Sequence, residues 1–320
     1  MRLCLMIEGQ ENVTWPQWCA LADACEEAQL DALFRSDHYL SVSGRTERGS
    51  LDAWTTLAGL AARTERIKLG TMVSPTTFRH PSVLAKEAVT VDHISNGRAE
   101  LGMGAGWNEP EHRAYGFEFP ETSVRMKELE EQIEIVHRSW HNETFAFAGS
   151  HYRVASLNAL PKPVQRPHPN LIVGGAANRR SARLAAQWAD EYNTNFVSPK
   201  ECRRRRGQVL EAWEAANRDP GSLTFSLMTG CVVGANDSEL RARARAVMSK
   251  SNESGSEIEW LKSLGDEWVV GTVDEAVDKL GVLAEAGVDR VMLQHLAHED
   301  TDMVRLIGDE VAPKLAAGTS

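Results

Sequence analysis

The chain alternates short apolar runs with stretches whose apolar residues recur every three or four positions, and this alternation constrains the fold most. It predicts eight strands, which begin near residues 3, 32, 67, 99, 171, 192, 225 and 288. Continuous apolar runs of this length are typical of strands buried on both faces, and the intervening spacing is typical of amphipathic helices. Strands that alternate with helices need crossover connections, so the sheet is expected to be parallel.

Closing eight such units gives a (β/α)8 barrel, the α/β architecture that we predict; an open doubly wound sheet is the alternative. A barrel of this type typically occupies about 250 residues, and the chain has 320. We assign the surplus to a hairpin-like insertion at about 142–169 and to a further loop at about 250–270, both expected to shape the pocket. No linker separates two halves, so residues 1–320 are predicted to form a single barrel domain.

Composition disfavours several classes of protein. The chain has 35 Lys+Arg against 45 Asp+Glu, a formal net charge of −10, which disfavours a nucleic-acid or membrane surface as the main partner. No apolar run approaches the roughly 18 to 20 residues that span a bilayer, and no signal-peptide pattern opens the chain. The five cysteines are scattered without a Cys-x-x-Cys pair, so we predict a cytoplasmic protein without disulfides.

In such a barrel the active site lies at the C-terminal ends of the strands, so the residues that follow each strand are the candidates. Asp37 and His38 follow the second strand, where a carboxylate beside an imidazole could fix a tautomer or transfer a proton. The alternative is that Asp37 caps a helix and His38 fills the barrel mouth. Trp107 lies in the glycine-rich loop after the fourth strand and could line a pocket.

Gly174 and Gly175 follow the fifth strand and precede a helix. Glycines allow close approach of the backbone, and a helix N-terminus offers free N–H groups with partial positive charge. The pattern therefore suits a phosphate, although two glycines also simply turn a chain.

The other histidines do not show the ligand spacing of a common metal motif, neither His-x-His nor His-Glu-x-x-His. A barrel metallohydrolase is therefore disfavoured, and we predict no metal site. The histidines considered are His80, His93, His112, His137 and His141.

Several segments, spread over nearly the whole chain in the expected order, resemble the luciferase-like monooxygenase superfamily. The likeness looks closest to the branch that uses coenzyme F420, a deazaflavin. It implies a (β/α)8 fold with an insertion, in agreement with the periodicity. The segments are residues 36–38, 63–75, 78–81, 96–98, 101–109, 161–163 and 172–175.

The resemblance also implies roles for single residues. Asp37 and His38 would lie at the deazaflavin ring, with His38 the candidate for proton handling. The Met72–Val73 bond matches the position of a non-proline cis peptide that forms a bulge behind the ring. Asn108 would hydrogen-bond the ribityl chain or the ring edge. The cofactor phosphate would lie against four consecutive residues, Val173, Gly174, Gly175 and Ala176.

The chain departs from the sugar-phosphate dehydrogenases of this branch, because Trp107 stands near where their catalytic carboxylate is expected. We therefore do not carry over their catalytic glutamate, do not assign a sugar-phosphate substrate, and assign Trp107 to substrate binding.

The leading hypothesis is an oxidoreductase that transfers a hydride between F420 and a small organic substrate. One alternative is an FMN-dependent monooxygenase that uses reduced flavin and O2, with a flavin reductase as partner. The other is a non-catalytic flavin- or deazaflavin-binding barrel, against which the polar groups Asp37, His38 and Asn108 argue. The resemblance also implies a homodimer.

Overall fold

The computed structural model describes residues 1–318, within which eleven strands form. Each predicted strand is present, and its bounds lie within a few residues of the prediction. The strands are β1 (Arg2–Ile7), β2 (Ala32–Arg35), β3 (Lys68–Pro75), β4 (Ala99–Gly104), β5 (Phe145–Ala148), β6 (Arg153–Leu157), β7 (Asn170–Gly174), β8 (Glu191–Asn195), β9 (Thr224–Gly234), β10 (Val269–Thr272) and β11 (Arg290–Gln294).

Eight of these strands close into a parallel barrel in the order β1, β2, β3, β4, β7, β8, β9, β11, and β11 pairs back with β1. This closure confirms the (β/α)8 fold and rules out the open sheet, whose two outer strands would each lack one neighbour. The short strand β10 pairs with the second half of β9 alone.

Helices connect the strands and cover the outside of the barrel. Ser198 begins α7 as predicted, since its hydroxyl accepts the amide of Glu201. The helices are α1 (Trp15–Glu27), α2 (Ala53–Arg63), α3 (Pro81–Ile94), α4 (Glu109–Tyr115), α5 (Thr122–His141), α6 (Arg179–Trp188), α7 (Pro199–Ala215), α8 (Asp237–Ser251), α9 (Glu257–Ser263), α10 (Val273–Glu285), α11 (Thr301–Leu306) and α12 (Ala312–Gly318), with a π-helical turn at Ile307–Val311.

The surplus residues take up two different structures. Residues 142–169 contain the antiparallel hairpin β5–β6, as the sequence suggests. Glu131 on α5 fixes this hairpin, because its carboxylate accepts the amides of residues 150–152. The segment at 250–270, expected to be a loop, instead holds α9 and the first half of β10.

A buried ion cluster closes the N-terminal end of the barrel. The guanidinium of Arg290 is fully buried and donates to Glu100 at 2.6 and 3.1 Å and to Glu191 at 3.0 Å. A further carboxylate, that of Asp31, lies 2.8 Å away. These residues stand at the starts of β11, β4 and β8 and just before β2, so the cluster joins strands from around the barrel.

The two glutamates respond differently to the shared arginine. Burial opposes ionisation of both, but the charge and hydrogen bonds of Arg290 hold the pKa of Glu100 below its usual value. The pKa of Glu191 is raised by burial and by the neighbouring charge of Glu100, which together outweigh Arg290.

None of the helices within residues 1–318 combines the length and the apolar character needed to cross a membrane.

We expect Glu100→Gln to destabilise the fold much more than Glu191→Gln. Removing the Glu100 charge breaks a buried, two-point contact with Arg290, and we expect the free energy of unfolding to fall by about 3 kcal/mol. The pKa of Glu191 is raised, so its charge is held less firmly, and Gln at that position should cost less than about 1 kcal/mol. Urea unfolding of both variants at neutral pH measures the difference, and equal losses would contradict this division of roles.

Candidate active site

A cavity of about 480 Å³ lies at the C-terminal end of the barrel, where the strand-end residues meet. Strand ends from around the barrel contribute to its wall, as the barrel geometry predicts. The lining residues are Glu8, Ser36, His38, Val42, Met72, Val73, Pro75, Gly104, Ala105, Gly106, Trp107, Gly174, Gly175, Asn193, Asn195, Phe196, Met228 and Gln294.

Val73 forms an apolar bulge in the cavity wall. The Met72–Val73 peptide bond is cis, as predicted from the resemblance, and the register between β3 and β4 shifts at this point. The Val73 side chain packs over glycines of the neighbouring strands. A Cβ at Gly102 would lie 2.9 Å from a Val73 methyl group, and one at Gly104 only 2.7 Å away. The spacing Gly102-x-Gly104 therefore makes room for the bulge.

His38 lies in the cavity wall and pairs with Glu111 on α4. Its Nδ1 is 2.7 Å from a carboxylate oxygen of Glu111, whose side chain is fully buried. The same carboxylate accepts the amides of Tyr39 and Leu40, so it is held against the loop that carries the imidazole. Because a carboxylate accepts, Nδ1 carries the hydrogen of this bond, and Nε2 is the nitrogen that can gain or lose a proton.

The contact between His38 and Glu111 changes the pKa of both side chains. Burial alone would lower the pKa of His38, but the hydrogen bond and charge of Glu111, with smaller contributions from Glu8 and Asp37, raise it. Burial opposes ionisation of Glu111, and the bond from His38 and the backbone amides lower its pKa nonetheless. The arrangement favours an imidazolium beside a carboxylate at the cavity wall.

Asp37 is not the partner of His38. The residue is buried outside the cavity lining, and its carboxylate accepts Ser74 Oγ and Arg79 at 2.6 Å each. It therefore ties the loop after β2 to the loop after β3. A carboxylate–imidazole pair exists, but Glu111 and not Asp37 supplies the carboxylate.

The side chains of Asn108 and Trp107, neighbours at the end of the glycine-rich loop, lie in different surroundings. Asn108 is buried and absent from the cavity lining, and its side-chain amide donates to Glu111 at 3.4 Å. Trp107 lines the cavity and is 65% exposed. Its ring contacts that of His38 edge-on, with the centroids 5.7 Å apart. Trp107 thus stands between the imidazole and solvent.

The predicted phosphate segment is only partly at the cavity. Gly174 and Gly175 line it, whereas Val173 is fully buried in β7 and Ala176 is exposed on the surface. The N-terminus of α6 is also less open than expected. The side chain of Asn178 accepts the amides of residues 180 and 181, so these two N–H groups are already bonded.

Five polar residues that line the cavity were missed as site residues by the sequence reasoning: Glu8, Ser36, Asn193, Asn195 and Gln294. Glu8 and Gln294 are bonded to each other. Glu8, directly after β1, accepts the side-chain amides of Gln10 and of Gln294 at the end of β11. The signal was their position, because each is a polar residue that ends an apolar strand. The charge of Glu8 also helps to raise the pKa of His38 at the same cavity.

The insertion does not shape this cavity as expected. Within the described chain, the lining contains no residue from 142–169 or 250–270. The second segment acts indirectly, since Trp268 packs against the lining residue Phe196 with the ring centroids 5.9 Å apart.

The fold and the cavity define a (β/α)8 enzyme-type barrel, and comparison with known families gives the class. The luciferase-like monooxygenase family matches residues 5–290, and the chain belongs to this family.

Relatives in sequence use two cofactors. The chain is 26% identical over 321 residues to an F420-dependent glucose-6-phosphate dehydrogenase of Amycolatopsis mediterranei, covering 91% of this chain and 92% of that protein. It is 28% identical over 284 residues to an FMNH(2)-dependent dimethylsulfone monooxygenase of Pseudomonas putida, covering 79% and 76%. Both relatives are oxidoreductases, which supports an oxidoreductase here.

Solved structures show the same fold. Monooxygenase RslO1 from Streptomyces bottropensis superposes with a TM-score of 0.84 at 24% identity, covering 98% of this chain and 99% of that one. An F420-dependent secondary alcohol dehydrogenase, in complex with an F420-acetone adduct, superposes with a TM-score of 0.83 at 17% identity, covering 98% of each chain.

We expect Glu111→Gln to lower the pKa of His38, because burial then acts on the imidazolium without a facing carboxylate. NMR titration of the His38 ring measures the change. Glu109→Gln removes an exposed charge from the same helix and should leave the titration unaltered.

The same substitution predicts a pH window in stability. The pair contributes fully when Glu111 is ionised and His38 protonated, between their ordinary values of 4.5 and 6.5. The contribution is lost as pH falls through the lowered pKa of Glu111, or rises through the raised pKa of His38. A stability difference between wild type and Glu111→Gln that stays constant across these pH values would refute the coupling.

Proposed function

We propose that the protein is an F420-dependent oxidoreductase that transfers a hydride between the deazaflavin and a small organic substrate. The observation that carries the proposal is the His38–Glu111 pair, which places a proton-handling imidazole in the wall of the cavity. The F420-dependent relative, matched over 91% of this chain, supports the choice of cofactor.

The cavity residues fit a flat ring system with a polar edge. Met72 and the Val73 bulge offer an apolar wall, while Glu8, Ser36 and Gln294 supply polar groups at other positions. A volume of about 480 Å³ lies within the usual range of small-molecule sites, roughly 300 to 1,000 Å³.

Met72 and Val73 would hold the ring from behind, and Gly174 and Gly175 would approach the phosphate-bearing chain. Asn108 and Asp37 lie outside the lining, so we assign them to the support of Glu111 and of the His38 loop respectively.

When bound, a deazaflavin supplies the two-electron redox chemistry, and the protein supplies binding, orientation and a proton. His38 Nε2 donates that proton when a carbonyl is reduced and accepts it when an alcohol is oxidised. Glu111 fixes the tautomer through Nδ1 and stabilises the imidazolium form. The raised pKa increases the protonated fraction near neutral pH, which suits a proton donor.

Trp107 contacts the substrate in this proposal. Its indole lies edge-on to His38 and is largely exposed, so a substrate that reaches the imidazole passes it. An aromatic side chain at the mouth also limits the entry of water to the reacting atoms.

The second candidate is an FMN-dependent monooxygenase that uses reduced flavin and O2. It is favoured by the FMNH(2)-dependent relative, which is 28% identical to this chain over 284 residues. That chemistry would require a flavin reductase as partner. The homodimer and the cytoplasmic location remain predictions from the sequence.

Binding experiments separate the two cofactors. We expect the purified protein to bind F420 at least tenfold more tightly than FMN, measured by fluorescence quenching. Gly174→Val should weaken F420 binding by tenfold or more, because the new side chain enters the cavity beside Val73. Gly207→Ala, on a helix where a Cβ meets nothing within 4 Å, is the matched control. Tight binding of FMN with no binding of F420 would overturn the proposal.

The role of His38 is tested by turnover. Once a screen of F420-loaded protein identifies a substrate, His38→Ala should lower kcat by about 10²- to 10⁴-fold, the usual contribution of a general acid or base. Affinity for F420 should change far less than kcat. His80→Ala serves as control, since His80 caps α3 outside the cavity. Unaltered turnover in His38→Ala would show that the proton comes from another group.

A further inference from the structure

Three histidines meet on the outside of the barrel, at the end opposite to the cavity. His137 and His141 lie one turn apart at the C-terminal end of α5, and His168 lies just before β7 begins. One ring nitrogen from each lies within 4.8 Å of the others. The insertion separates His168 from the other two in sequence, and the histidines considered in the sequence analysis did not include it.

Two of the imidazoles are fixed in one tautomer by the main chain. Nδ1 of His141 lies 2.9 Å from the carbonyl oxygen of His137, and Nδ1 of His168 lies 2.8 Å from that of Pro169. A carbonyl oxygen accepts only, so both Nδ1 atoms carry hydrogen and both Nε2 atoms keep a lone pair. Imidazoles that bind metals typically donate their second nitrogen to a carbonyl or carboxylate in this way.

We propose that His137, His141 and His168 form a binding site for a divalent transition-metal ion of the zinc, cobalt or nickel type. Imidazole is a preferred ligand of these ions. Nitrogens at about 2.1 Å from a tetrahedral ion lie roughly 3.4 Å apart. The present spacing closes to that value by small rotations of the rings, and His141, which is exposed, is free to make them.

The surroundings suit a bound cation. The rings of His137 and His141 stack with their centroids 4.1 Å apart, and His168 stands edge-on to both. The carboxylate of Asp190, 3.7 Å from His168 Nδ1, adds a negative charge behind that ligand.

A metal at this position would connect the two ends of the insertion. His137 and His141 precede residues 142–169, and His168 lies at their end, so one ion would hold the helix to the returning chain. An ion that binds only the folded arrangement stabilises it by mass action. The site is therefore structural, and it lies at the opposite end of the barrel from His38.

The test is metal binding by the full-length chain without an affinity tag. We expect the metal-stripped protein to bind one equivalent of Zn²⁺ in calorimetry, and Co²⁺ to give visible d–d bands typical of nitrogen ligation. His141→Ala and His168→Ala should each weaken Zn²⁺ binding by at least tenfold and abolish the Co²⁺ spectrum. His151→Ala, which removes an exposed histidine from the β5–β6 segment, is the matched control.

The rate of proteolysis within the insertion gives a second, independent measurement. Zn²⁺ should slow proteolysis within residues 142–169 of the wild type and of His151→Ala, but not of His141→Ala. Failure of the wild type to bind either ion would overturn the proposal. Binding that is equally tight in the His141 and His168 variants would also overturn it, because the ion would then lie elsewhere.

Discussion

The buried charge of Arg290 is the constraint on which the rest of the barrel depends. An unpaired guanidinium in the interior would be costly, and its carboxylate partners come from β4, β8 and the residue before β2. These groups converge only when β11 pairs with β1 and closes the sheet. The Arg290 charge is therefore compensated only when the strands pair in this register. A strand displaced by one residue would turn its side chains to the other face of the sheet, away from the cluster.

Closure at one end leaves the other end free for function. The C-terminal ends of the same strands carry glycines, the Val73 bulge and the polar groups that line the cavity. Gly102 and Gly104 have no side chain, which leaves the space that the Val73 side chain occupies. The Val73 side chain in turn shapes the wall of the cavity. The loop that carries His38 is held separately, by the pairing of Asp37 with Arg79.

Much of the fold could be predicted because a strand buried on both faces needs a continuous apolar run, and such runs are visible in the sequence. The segment at 250–270 was harder, since a short surface helix such as α9 has little apolar periodicity. The cis bond at Met72–Val73 was anticipated from family resemblance alone. Contacts between side chains on different loops could not be predicted from the sequence. Asp37 is next to His38 in the chain, yet its partner Arg79 lies 42 residues away. Glu111, 73 residues from His38, gave no local signal at all.

The separation of His38 from Glu111 along the chain has an evolutionary consequence. The imidazole belongs to the loop after β2 and the carboxylate to the helix after β4, with a whole βα unit between them. Glu111 is absent from the cavity lining within the described residues. Changes around α4 can therefore adjust the basicity of the imidazole without altering the shape presented to a substrate. In the proposed function, the basicity of His38 and the shape of the cavity therefore depend largely on different segments, which can change separately.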